Sequence, residues 1–88
     1  MISGTQPHRQ YSEAEKQEEE KRIRYLRRLV DFTLALIAQS AIPLAEAQRL
    51  IDGVRQQAYY LFPEKKDTFE FIYTPRFRRL LAEKYRLQ

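Results

Sequence analysis

Two prolines punctuate this chain. Pro43 and Pro63 divide residues 12–88 into three stretches, and in each the apolar residues recur at spacings of three and four. Those spacings are the mark of amphipathic helices. Proline lacks the N–H that a helix interior uses, and its ring collides with the preceding turn, so helices tend to end beside it. The two sites therefore call for three helices joined by short connections.

The first stretch opens at Ser12, which with Glu15 matches a capping box, and Glu13 and Glu15 suit the positive end of a helix. No apolar stripe appears until Ile23, so the first ten residues read as an acidic helical extension. From there one stripe runs Ile23, Leu26, Val30, Leu34 and Ile37, and a second runs Tyr25, Leu29, Phe32 and Leu36. The arc is wide enough to predict two helix neighbours, one per stripe. The second helix takes Leu44, Ala47, Leu50, Ile51, Val54, Ala58 and Leu61. Its near-equal apolar length and short connection predict an antiparallel hairpin with the first.

The third stretch is less clear. Phe69, Phe71 and Tyr73 would share a face of a strand, whereas Phe69, Ile72 and Tyr73 would share a face of a helix. The helical phase carries on into Phe77, Leu80, Leu81 and Tyr85. A lone strand would have no partner, so helix is preferred. It is expected to be capped by Asp67 or Thr68, and to be kinked or split at Pro75, with Thr74 as the cap of a second piece. The expected fold is all-α: a small antiparallel three-helix bundle with helices at about 12–40, 44–62 and 67–87, preceded by a disordered tail at 1–11. With 88 residues there is room for one domain, and 2 Gly and 4 Pro leave little material for a turn-rich β fold.

Several kinds of chemistry find no footing. Zero cysteines exclude a disulfide framework, a thiolate metal site and a cysteine nucleophile, and fit a reducing compartment. The one histidine, His8, falls in the tail, so no triad, proton shuttle or ExxH metal motif can be built around it. Glu15, Glu18 and Glu19 share a helical face without apolar surroundings, which reads as a solvated charge run. No glycine-rich phosphate loop is present. The expectation is a protein without enzymatic activity, cofactor or metal. The apolar-rich residues 29–44 are too short and too polar to span a membrane, and the N-terminus has no signal-peptide core, which predicts a cytoplasmic protein.

The net charge of +4 is unevenly spread: residues 1–20 carry −3, residues 21–40 carry +4 and residues 63–88 carry +3. Lys21, Arg24 and Arg28, with Arg76, Arg79 and Arg86, would be the contacts of a nucleic-acid-binding protein. Carboxylates three or four residues away argue for ordinary intrahelical pairing instead. The preferred expectation is a protein-interaction module, an adaptor or a homodimer, working through apolar and aromatic helix faces. The residues expected to carry it are Tyr25 and Phe32 on the first helix, and a surface of Gly53, Tyr60 and Phe71 rimmed by Arg49 and Arg76. Plainer readings stand beside these. Gly53 could mark neutral drift or a local helix break, and Phe71 could pack under the Pro63 turn.

Overall fold

The computed structural model describes residues 12–86; the tail expected at 1–11, with His8, lies outside the described residues. Three helices follow one another: α1 (Glu13–Gln39), α2 (Leu44–Leu61) and α3 (Lys66–Tyr85), with a single 3-10 turn, Pro63–Lys65, leading directly into α3. No strand occurs among the described residues.

Helix α1 begins at the capping box its sequence encodes. The Glu15 backbone N–H donates to the Ser12 hydroxyl (3.1 Å), and the Ser12 N–H donates to the Glu15 carboxylate (2.9 Å). Residues 13–18 are all exposed, and the first ion pair with another element is Lys65 to Glu19, at 3.9 Å. The acidic start of α1 is thus a helical arm. Pro43 serves as N-cap of α2, where its fixed φ fits and no N–H is required.

The chain runs up, down and up. Along α1 and α3, Glu19 meets Lys65 and Asp31 meets Arg76, so these two helices are parallel. Helix α2 lies antiparallel to both. The far end is tied by Lys84, which donates to the Ser40 carbonyl (2.8 Å), and by the Tyr85 hydroxyl, which donates to the Ile42 carbonyl (2.8 Å). Lys84 there satisfies a carbonyl just past the C-terminus of α1. The core between the helices is built from Leu26, Val30 and Ile37 of α1, Ala47, Ile51, Val54 and Ala58 of α2, and Phe69 and Phe77 of α3. The alanines of α2 let it approach its neighbours closely, and the two phenylalanines of α3 fill the space opposite.

Four expectations need correction. The two stripes of α1 are not equally covered: the first is mostly buried, but of the second only Leu29 is half-buried, while Tyr25, Phe32 and Leu36 are exposed. A three-helix bundle surrounds one line on each helix, and that line on α1 is Leu26, Val30, Thr33 and Ile37. Thr33, which looks like a polar interruption, is therefore buried. Helix α3 starts at Lys66 without a side-chain cap from Asp67 or Thr68, because the 3-10 turn feeds straight into it. Nor is it split at Pro75, where Thr74 was expected to cap a second piece: one helix runs through that residue. Pro75 cannot serve the Phe71 carbonyl, but both residues are exposed, so water can reach that turn. Phe69 and Tyr73 before the proline, and Phe77, Leu80 and Leu81 after it, pack into the same core. Their shared burial outweighs the roughly 3 kcal/mol that an interior proline costs. Helix α2 likewise passes through Gly53 without a break.

Candidate interaction surface

Side-chain chemistry divides the three seams between the helices. The α2–α3 seam is latched. The Glu70 carboxylate accepts hydrogen bonds from Arg55 Nε (2.7 Å), from Thr74 Oγ1 (2.5 Å) and from the Tyr59 hydroxyl. Arg55 also pairs with Asp52 at 2.7 Å. The Tyr59 ring stands edge-on to Phe69, 6.3 Å between centroids. The donors from Thr74, Tyr59 and Arg55 all favour the ionised carboxylate, and they outweigh its partial burial, so the Glu70 carboxyl is pulled down to about 2. The hydrogen bond to Glu70 raises the Tyr59 phenol. Burial pushes the Arg55 guanidinium down, but the Glu70 hydrogen bond and the nearby negative charges more than reverse this. Sequence reading missed this cluster. Helical spacing offers Glu70 and Thr74 as neighbours, but only the packed hairpin brings Arg55 and Tyr59 to them.

The α1–α3 seam is rimmed by charge. Between Glu19–Lys65 and Asp31–Arg76 (3.5 Å) lies an apolar groove of about 230 Å³ lined by Ile23, Leu26, Phe69, Ile72 and Tyr73. The exposed parts of Ile23 and Ile72 belong to this groove.

The third seam, between α1 and α2, has neither latch nor rim. No ion pair or side-chain hydrogen bond joins these helices among the described residues. On its outer side Tyr25 is 50 %, Phe32 65 % and Leu36 37 % exposed. At 100° per residue these three lie within about 20° of one line along the helix. That line runs on the α2 side of the core, the side on which the Arg22 guanidinium sits over the Phe62 ring at 5.7 Å. Leu29 backs it from within. By the same phase α2 contributes Leu50 and Gln57, on the side of α2 away from Arg55 and Tyr59. No charged residue lies between Asp31 and Glu46, so the C-terminal half of this flank is bare of charge.

The other expected interaction residues do not join this line. Tyr60 and Phe71 are 81 % and 83 % exposed, but helical phase puts them on the outer faces of two different helices, and no aromatic contact links them among the described residues. Gly53 is exposed, and a Cβ added there would meet nothing within 4 Å. The rim arginines are engaged within the chain. Arg49 pairs with Glu46 at 2.7 Å, and Arg76 reaches Asp31 and also lies over the Tyr73 ring. Lys21, Arg24 and Arg28 are exposed on α1, Arg76 and Arg79 are exposed on α3, and Arg86 follows its last turn. Leu36 is the residue of the flank that sequence reading left unnamed as a contact. Its seven- and four-residue spacing from Leu29 and Phe32 was the available signal.

Among the described residues no group of three acidic or histidine side chains is placed to hold a metal ion, and no helix is long and apolar enough to cross a membrane. Comparison with known protein families, with characterised proteins and with solved structures finds no match to this chain.

Proposed function

We propose that this chain is a non-enzymatic, cytoplasmic protein-interaction module that works by laying the α1 flank, Tyr25, Phe32 and Leu36, against a helix of another polypeptide. The observation that carries the reading is that flank: three large apolar side chains on one line, exposed, next to a run without charge. Aromatic side chains in such a setting have the composition of an interface centre, with the arginines of α1 as its rim. The exposed parts of Tyr25 and Phe32 together amount to roughly 200 Å², worth about 5 kcal/mol if buried.

A photo-reactive phenylalanine analogue at position 32 tests this in cells producing the chain. Protein adducts at position 32, and far fewer from the same probe at position 71 on the outer face of α3, are expected. Equal adducts from both positions, or none from 32, would remove the reading. The nucleic-acid alternative has one observation in its favour: no ion pair engages Lys21, Arg24 or Arg28 among the described residues. Adducts at position 32 that disappear on nuclease treatment would put that alternative in first place.

A further inference from the structure

Resting on that reading, we propose that the occupant of the α1 flank is the same flank of a second copy, with the two α1 helices antiparallel and Tyr25 of each copy against Phe32 of the other. The argument is the order of charge along α1. Residues 13–20 hold five glutamates and one lysine, residues 21–28 hold five Lys or Arg and no acid, and residues 29–39 hold only Asp31. In a parallel pair each block would lie on its own kind, acid on acid and base on base. In the antiparallel register that sets Tyr25 against Phe32, residues 21–28 lie across residues 29–36. The one charge they meet there is Asp31, of opposite sign.

Glu18–Glu20 then lie across residues 37–39, the uncharged end of the partner's α1, and residues 13–17 reach past that end. The two acidic blocks lie far apart, and the two basic blocks meet only where Arg28 of each copy flanks the axis. The register is also self-complementary, as a two-fold interface requires: the Tyr25–Phe32 contact occurs twice, and the axis passes between Arg28 and Leu29. Tyr25 and Phe32 are seven residues apart, about 10 Å along the helix, so both contacts form together. The arm of each copy, which is exposed over residues 13–18 and makes its first ion pair with another element at Glu19, gains contacts from the partner through Glu18–Glu20.

The chain has no cysteine, so single-cysteine variants report cleanly. The experiment combines mass measurement from 1 to about 200 μM with spin labels at Arg28→Cys and, separately, Gln39→Cys. The expected result is a concentration-dependent dimer. Its inter-label distance is short at position 28, beside the axis, and longer at position 39, where the helical rise alone sets the two labels about 30 Å apart along the axis. Phe32→Asp is expected to weaken the dimer at least tenfold. Phe71→Asp, an equally exposed ring elsewhere, leaves it intact. Both sites are exposed, and helix content by circular dichroism checks that each variant is folded.

A monomer at every concentration overturns the inference, as do similar distances at both labels, or a dimer indifferent to Phe32→Asp. These failures differ from failure of the broader reading. Adducts from position 32 to a different protein would keep the interaction module and discard the second copy, whereas no adduct at all would discard both.

Discussion

The two long sides of α2 meet their neighbours in opposite ways. Toward α3, four polar side chains converge: Glu70 gathers Arg55, Tyr59 and Thr74, and Arg55 holds Asp52 as well. Toward α1 the outer flank offers rings and a leucine with no polar partner from α2. Polar latches fix one geometry, because a group that loses its partner is left unsatisfied. Apolar flanks fix none until something covers them. One side of α2 is therefore latched within the chain, and the flank beside the other stays exposed.

Breaking the latch should have the largest effect. Glu70→Ala strands three donors at a partly buried site and is expected to destabilise the fold by about 2 kcal/mol. Phe32→Ser, on the flank of α1, should change the stability of the single chain by less than about 0.5 kcal/mol, as exposed substitutions usually do. Urea unfolding of both variants at low concentration reads the contrast directly. Similar losses would mean that the flank is part of the fold and that the two sides of α2 do not differ in the way described.

Acid sharpens the same comparison. The Glu70 carboxyl is held at about 2 in the folded chain against an ordinary value of 4.5. A carboxyl lowered by folding contributes stability that is complete above its unfolded value and is lost as pH falls toward its folded one. The unfolding free energy should therefore drop between about pH 5 and pH 2. The site is a third exposed, so solvent screening holds the Glu70 share to about 1–2 kcal/mol. Glu70→Gln should lose that share of the pH dependence. Parallel acid curves for the native chain and Glu70→Gln would show that the carboxylate is not the latch.

These features were unequally legible in the sequence. The helices were readable because local signals agree: the Ser12–Glu15 box starts α1, Pro43 and Pro63 separate the elements, and the apolar spacing is helical throughout. The unbroken passage through Pro75 was not, because proline's local cost is visible in the sequence while the shared core of Tyr73 and Phe77 is not. Phe71 illustrates a phase argument that works: with Phe69 inward, position 71 points out, and it is exposed. Thr33 shows residue type misleading where phase does not: its hydroxyl suggests surface, but its phase places it in line with Val30 and Ile37, and it is buried. The latch was hidden, and only Tyr25 and Phe32 of the flank were named, for one reason. Which side of a helix is covered depends on where its two neighbours stand, and no local pattern encodes that.

Gly53 offers the smallest effect and the finest test of the open side. It sits within α2 with ordinary negative φ, it is exposed, and a methyl group there has open space. Nothing in the single chain requires glycine, so Gly53→Ala should stabilise the fold by about 0.5–1 kcal/mol through backbone entropy. Its phase turns it toward the α1 side of the outer face of α2, near the flank that the proposed partner covers. If an incoming helix approaches the α2 backbone there, the added methyl group separates two readouts that otherwise move together: urea unfolding of the monomer gains stability while dimerisation weakens. A gain in both would mark Gly53 as a site with no part in association, and would confine the contact to the α1 side of the seam.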